Sequence, residues 1–278
     1  MEIYNKEDYV KEKKAEREEV FKMVSAACYE TVYSDNNLKE YLKLQSRFDL
    51  YSVSNVMLIL KQCPQATKIK DFDYWKNQDF QVKKGEKGIK LIRPSAYTNK
   101  DGVEMTVYNI KKYFDISQTN AFVNEKKPRE SNNAILKGLI SAAPVKVESV
   151  ESLRLDTTAK ALYNNTDKVL YIERGLTPNE FFKNVVQEVA KSILDMDNSQ
   201  DSLEEVKDKA AMVGYMLAQR YGFEEAAPEV KVPANYEELD DKQIKAELGK
   251  CREVFSNIKG SIEKEISKER EQRSQEER

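Results

Sequence analysis

A polar segment near the middle of the chain, Asn124–Asn133 (NEKKPRESNN), most constrains the architecture. It contains Pro128 and shows no apolar periodicity, so it is typical of a linker rather than of a core element. With 278 residues, the chain is long enough for a separate core on each side. We therefore predict domains at residues 1–123 and 134–230, a linker at 124–133 and a charged helical tail at 231–278.

The charge differs along the chain, although the net charge is only -2. Residues 61–130 contain 15 Lys and Arg against 9 Asp and Glu, whereas residues 151–278 contain 20 against 27. A basic block joined to an acidic block indicates that the first block alone meets a polyanion.

Several functional classes are excluded by residues that the sequence lacks. It contains no histidine, which excludes nucleophilic systems that use a Cys-His or Ser-His pair and any His-ligated metal. The three cysteines, Cys28, Cys63 and Cys251, are isolated from one another, which is typical of a reducing cytosol. The N-terminus has no apolar signal region, and no run of 18 apolar residues occurs. We expect a cytoplasmic protein with no cofactor and no membrane partner.

The segment Asp71–Pro94 (DFDYWKNQDFQVKKGEKGIKLIRP) combines aromatic rings with cations. Gly85 and Gly88 predict a turn in its KKGEKG part, and the apolar residues after the turn predict a short buried strand that stops at Pro94. Aromatic rings beside a cationic loop are typical of single-stranded nucleic-acid binding. The alternative is a solvated basic turn next to core aromatics.

Local signals predict most of the other elements. Ser52 or Ser54 is expected to cap a helix that ends before Pro64, and Asn99–Gly102 to form a hairpin turn. Thr177 and Pro178 predict the start of an amphipathic helix, and Gly222 the end of the next one. Helices are also expected at residues 2–33, 38–44 and 134–143, and strands at 145–147 and 169–172.

Three motifs of the first domain resemble those of a known family. YSVSNVMLIL, the PQATKIKDFDYW…VKKGEKGIKLIRP stretch and KKYFDISQT are similar to the N-terminal domain of ArdC-type antirestriction proteins, a group that includes the LtrC-like proteins of conjugative elements. The resemblance runs from about Phe48 to Thr119. It implies a single-stranded-DNA-binding α/β domain on a mobile element. Within these motifs we expect DNA contacts from Tyr51, Asn55, Trp75, Lys76, Lys83, Lys84, Lys87, Lys90 and Arg93.

The second domain resembles the same family, whose corresponding domain is zincin-like. In that pattern a strand precedes a helix bearing His-Glu-x-x-His, whose two histidines hold zinc while the Glu acts as general base. Here VLYIERG is followed by FFKNVVQEVAKSIL, so that Gln187 and Lys191 occupy the histidine positions and Glu188 alone is retained. Ala211 falls in the region of the third ligand, although acidic residues lie about a turn earlier. The resemblance therefore implies a zincin-like α+β domain without metal ligands, in which Glu188 pairs with Lys191 or Gln187.

The tail carries apolar residues at alternating spacings of four and three from Ile244 to Ile262. This pattern predicts either a long helix that packs on its own chain or a seam for self-association or a protein partner. For the whole chain we predict an α+β protein that binds single-stranded DNA and is not an enzyme. The alternatives are a partner-binding scaffold without DNA binding and a peptidase with a metal site that contains no histidine.

Overall fold

In the computed structural model, residues 6–121, 130–153, 158–197 and 201–276 are described, and they form two units. The first unit contains the described residues 6–33 and 50–121, and the second contains 34–49 and the described residues from 130 onwards. Residues 124–129 of the predicted linker lie outside the described residues, while Ser131 near its end caps a helix. None of the described helices is long and apolar enough to cross a membrane.

The elements are numbered in chain order. The helices are α1 (Lys6–Thr31), α2 (Asp35–Arg47), α3 (Val53–Gln62), α4 (Phe72–Asn77), α5 (Asn132–Ser141), α6 (Pro178–Met196), α7 (Leu203–Tyr221) and α8 (Asp241–Glu276). The strands are β1 (Ile69–Asp71), β2 (Ile89–Thr98), β3 (Glu104–Asp115), β4 (Lys146–Val150), β5 (Ala161–Asn164) and β6 (Val169–Glu173). This mixture of helices and small sheets confirms the α+β class.

The first unit is built on an antiparallel sheet in the order β1-β3-β2. The predicted hairpin turn joins β2 to β3, with Gly102 at φ 79° and the Asn99 side chain accepting from the Asp101 and Val103 amides. Ser52, rather than Ser54, caps α3 by accepting from the Asn55 amide. In α1, Val20 and Val24 are buried, whereas Val10 is 57% exposed.

Strand β2 does not stop at Pro94, as the sequence predicted, but continues to Thr98. The reason is the position of Pro94 on the outer strand of the sheet. The amides of Lys90 and Ile92 point away from β3, towards Gln62 and Asn55 of α3. Alternation along the strand gives residue 94 the same outward direction, so the missing N–H of proline removes no bond to β3.

The second unit contains a sheet in the order β4-β6-β5, in which β4 and β6 are parallel and β5 is the antiparallel edge. Thr177 caps α6 with a reciprocal Glu180 contact, as a capping box, and Pro178 stands at its start. Gly222 ends α7 in the left-handed conformation at φ 78°. The predicted capping and termination signals of these helices are confirmed.

Residues 34–49, which the sequence analysis grouped with the first domain, lie in the second unit. Leu38, Tyr41 and Leu42 of α2 are buried there, where α2 packs against α7. Asp35 fixes the start of α2 because its carboxylate accepts from the Val232 amide at 2.8 Å. Long-range packing of this kind has no local sequence signal.

Helix α8 packs on its own unit, mainly against α5 and α7. The apolar seam is buried: Ile244, Leu248, Cys251, Phe255, Ile258 and Ile262 are each at most 1% exposed. A Cβ on Gly138 of α5 would lie 2.4 Å from the Ile262 Cα, so the two backbones are in close contact. The self-packing alternative is confirmed, and the seam is not free for self-association or a protein partner.

Candidate functional site

The buried carboxylate of Asp115, at the end of β3, organises the basic end of the first unit. Its Oδ1 accepts from the Thr67 amide at 2.7 Å and the Lys68 amide at 2.8 Å, and its Oδ2 accepts from Ser117 at 3.0 Å. It caps the one-turn 3-10 helix Ile116–Gln118. Three backbone donors on one carboxylate fix the ends of two loops at this point.

The segment Lys83–Lys87, which we call the lysine loop, is held on that one-turn helix. Lys83 donates its amide to the Gln118 carbonyl and its ammonium to the Ser117 carbonyl, both at 2.9 Å. The Gln118 side chain donates to the Lys87 carbonyl and to the Glu86 carboxylate, each at 2.9 Å. Gly85 supplies the turn at φ 92°. The loop is thus an ordered turn on which the side chains of Lys83 and Lys87 are exposed.

Trp75 lies in the core, with 1% of its surface exposed. Its indole N–H donates to the Phe114 carbonyl at 3.0 Å, and the rings of Tyr74 and Phe80 meet it edge to face. Neither face of the indole is open to a base. The interpretation of Trp75 as a stacking residue is therefore not supported, whereas the neighbouring Lys76 is exposed on α4.

Tyr51 and Asn55 hold the sheet instead of facing solvent. The Tyr51 hydroxyl donates to the Ile69 carbonyl at 3.2 Å, and burial raises the pKa of this phenol. The Asn55 amide pairs with both backbone groups of Ile92, donating at 2.9 Å and accepting at 2.8 Å. Gln62, two turns later on α3, does the same with Lys90 at 3.0 and 2.9 Å. Two side chains of a helix thereby replace a neighbouring strand along this part of β2.

Lys90 and Arg93 belong to opposite faces of the sheet, because they are three positions apart on β2 and side chains alternate along a strand. Lys90 forms an ion pair with Glu19 of α1 at 2.9 Å, and Arg93 is exposed. Lys90 and Arg93 therefore do not belong to the same cationic surface.

The sequence analysis missed two lysines at β1, Lys68 just before the strand and Lys70 within it. The Lys68 ammonium lies 5.7 Å from the ring centroid of Tyr74 and 5.6 Å from that of Trp75, and the Lys70 ammonium lies 5.2 Å from that of Tyr74. Both lysines are exposed, and the alternation in ATKIKDF could have indicated them. Among the described residues, no carboxylate lies within 4 Å of the ammonium groups of Lys68, Lys70, Lys76, Lys83, Lys84 or Lys87.

In the second unit, Glu188 of α6 is 9% exposed and fully engaged. Its Oε1 accepts from the Lys191 ammonium at 2.6 Å, and its Oε2 accepts from the Tyr163 amide of the edge strand β5 at 2.9 Å. The predicted pairing of Glu188 with Lys191 is confirmed. Gln187 is half-buried on the same helix.

A 320 Å³ cavity adjoins this ion pair. Helix α7 contributes Leu203, Val206 and Lys207 to its lining, whereas the buried Ala211 is not among the described lining residues. The part of α7 that lines the cavity beside Glu188 therefore lies one to two turns before Ala211. At the rim, hydrogen bonds from Lys168 and Tyr163 lower the pKa of Asp195.

The donor set around Glu188 does not fit a zinc ion. Lys191 is a protonated amine that offers no lone pair, and Gln187 offers at best a weakly binding carbonyl. The described residues contain no group of three or more Cys, Asp or Glu arranged to hold a metal. The Lys191 ammonium instead supplies the positive charge that contacts Glu188.

Comparison with known proteins assigns the first unit to a class. Residues 10–137 match the family model described as the N-terminal domain of anti-restriction factor ArdC. They include most of α1, the three-stranded sheet and the lysine loop. The first unit is therefore similar to the N-terminal domain of the ArdC-type antirestriction proteins.

Two solved structures of the antirestriction ArdC protein from plasmid R388 are similar to the chain. The metal-free structure aligns with a TM-score of 0.49 at 14% identity and covers 77% of this chain and 86% of the other. The Mn(II)-bound structure aligns with a TM-score of 0.47 at 13% identity, with 76% and 85% covered. No curated protein sequence matches the chain.

Proposed function

We propose that the chain binds single-stranded DNA through its first unit and acts in antirestriction on a mobile element. The observation that carries the proposal is the lysine loop, where Lys83, Lys84 and Lys87 are exposed on one ordered turn. Because the turn is fixed before binding, little conformational entropy is lost when phosphates meet these ammonium groups. Lys68, Lys70 and Lys76 extend the cationic surface around α4 and β1.

We further propose that the second unit is a zincin-like domain without peptidase activity. Support comes from the α6 position of Glu188, next to the edge strand β5, and from the Lys191 ammonium that contacts it. A general base that is paired with an ammonium and has no metal-bound water to deprotonate has no role in hydrolysis.

The DNA-binding proposal is tested by reversing Lys83, Lys84 and Lys87 to Glu in the full chain. Each phosphate neutralised on a single strand contributes about -0.7 to the slope of log affinity against log salt. We expect oligo(dT) binding with a slope of about -3 for four contacts, and a slope flatter by about two units in the triple variant.

A matched control reverses Lys137, Lys183 and Lys242, three exposed lysines of the second unit. This variant has the same change in net charge, so it reports the effect of overall charge alone. Unchanged affinity and slope in the lysine-loop variant would mean that the DNA site lies elsewhere. Equal losses of affinity in both variants would mean that binding depends on overall charge and not on a site at the lysine loop.

A further inference from the structure

We propose that one face of the first sheet is the platform on which the bases of the bound strand stack, with Phe72 and Tyr108 as the stacking residues. This inference rests on the proposed DNA binding and adds where the bases lie. The ring of Trp75 is enclosed, so the stacking role is assigned instead to two aromatic rings that are open to solvent.

The members of this face, which we call the stacking face, follow from strand register. Side chains alternate between the two faces of a sheet, and directly paired residues share a face. Lys70 pairs with Phe114 between β1 and β3. Between β2 and β3 the pairs on the same face are Lys90 with Lys112, Ile92 with Ile110, and Pro94 with Tyr108. Phe72 joins them because its ring meets that of Phe114 edge to face at 6.4 Å.

The aromatic rings of the stacking face are unusually open for such large side chains. Phe72 is 53% exposed and Tyr108 49% exposed, although both belong to ordered elements. Phe114 and Tyr108 are six residues apart on β3, which corresponds to roughly 20 Å of strand. A surface of that length with rings at both ends spans several nucleotides of an extended strand.

The charges of the stacking face complement a nucleic acid. Lys112 is exposed on it between Phe114 and Tyr108, and Lys70 is exposed beside Phe114. The lysine loop adjoins its Phe114 end, because a Cβ on Gly88 would lie 2.8 Å from the Lys112 Cβ and 3.2 Å from the Phe114 Cζ. Phosphates bound at Lys87 would therefore leave the following bases next to the Phe114 and Phe72 rings.

Helix α1 borders the stacking face at Lys90 and also contacts β3. Glu19 neutralises that lysine, and the nearby Glu16 has its pKa lowered mainly by Lys13, with further contributions from Lys90 and Lys112. These carboxylates repel phosphates, so the strand is expected to run on the side of the face away from α1, past Lys70 and Phe114. Relief of this repulsion by Glu19→Gln should strengthen oligo(dT) binding.

The opposite face of the sheet provides an internal control. It buries Ile89 and Leu91 in the core, and its exposed ring is Tyr97, which pairs with Met105 near the hairpin tip. Tyr97 is 47% exposed, almost the same as Tyr108, and lies on the same hairpin. The two tyrosines thus differ mainly in the face to which they belong.

The test compares Phe72→Ala, Tyr108→Ala and Tyr97→Ala in the full chain, with fluorescently labelled oligo(dT) and an abasic strand of equal length. A base that stacks on an aromatic ring contributes enough that loss of the ring weakens binding by roughly 5- to 100-fold. We expect that loss for oligo(dT) in the Phe72 and Tyr108 variants, with an unchanged salt slope and unchanged binding of the abasic strand. Tyr108→Phe should bind like the wild type, because the ring is kept.

The outcomes separate the inference from the proposed function. If the wild-type chain binds oligo(dT) with a steep salt slope but Phe72→Ala and Tyr108→Ala bind as tightly as Tyr97→Ala, the stacking face is wrong and DNA binding stands. Equal losses in the Tyr97 and Tyr108 variants would also overturn the choice of face. If the wild-type chain binds neither strand, the proposed function fails and the inference fails with it.

Discussion

The Lys191 ammonium lies 2.6 Å from Glu188 Oε1. The pair is an i, i+3 contact on α6, with 29% of the lysine side chain and 12% of the glutamate side chain exposed. Because the other carboxylate oxygen accepts from the Tyr163 amide, the pair also joins α6 to the edge strand β5.

The first prediction is that Lys191→Met lowers the free energy of unfolding by about 1–3 kcal/mol, because Glu188 is left with a largely desolvated charge. The partial exposure of both side chains keeps this loss below that of a fully buried ion pair. Adding Glu188→Gln should restore part of the loss, since a neutral amide needs no counter-ion. Urea denaturation of the two single variants and the double variant measures this coupling. Strictly additive effects would contradict it. Glu188→Gln alone should leave DNA binding unchanged.

The second prediction concerns zinc. Protein purified without a chelator should contain well below one zinc per chain, because Gln187 and Lys191 supply no imidazole and Lys191 is positively charged. Elemental analysis and melting curves with and without added zinc measure this. Stoichiometric zinc that raises the melting temperature would show that other residues hold a metal.

The third prediction concerns Trp75, the single tryptophan of the chain. Its emission should be that of a buried indole, with weak acrylamide quenching that oligonucleotide does not change. Trp75→Ala should lower the free energy of unfolding by about 3–5 kcal/mol, because it leaves a cavity and removes the donor to Phe114. Strong acrylamide quenching that is relieved by oligo(dT) would instead indicate an exposed ring in contact with bases.

The fourth prediction concerns Asn55. Asn55→Ala leaves the Ile92 amide and carbonyl without their partner and should lower the free energy of unfolding by about 1–3 kcal/mol. Hydrogen exchange of the Ile92 amide should become faster. Asn77→Ala, at an exposed position on α4, serves as control and should change stability by less than about 0.5 kcal/mol. Equal stability of the two variants would mean that the α3–β2 pairing contributes little.

The fifth prediction compares two glycines where α5 meets α8. In Gly138→Ala the new methyl group would collide with the Ile262 backbone at 2.4 Å, which should destabilise the second unit by about 1–3 kcal/mol. Gly260 lies in α8 with open space around its Cβ position, so Gly260→Ala should stabilise by roughly 0.5–1 kcal/mol. Chemical denaturation midpoints measure both effects. If the midpoints of Gly138→Ala and Gly260→Ala shift in the same direction, the close packing of α5 on α8 is contradicted.

Most element boundaries could be predicted because their causes are local. Ser52 and Thr177 cap helices by bonding to amides three residues on, and Gly102 and Gly222 adopt backbone angles that glycine favours. The Glu188–Lys191 pair was also predictable, because residues three apart on a helix are neighbours. The class of the first domain followed from motifs that lie close together in the sequence.

The sequence by itself therefore determined the helices, the turns, the α+β class and the cationic character of the lysine loop. The tertiary structure alone decided that Trp75 is buried, that Asn55 pairs with β2, that α2 joins the second unit and that the α8 seam is covered by its own chain. Caps and turns depend on atoms within a few residues, whereas burial depends on which distant elements pack on a side chain. A tryptophan beside lysines has the same sequence whether its ring faces solvent or the Phe114 carbonyl, and only packing separates the two.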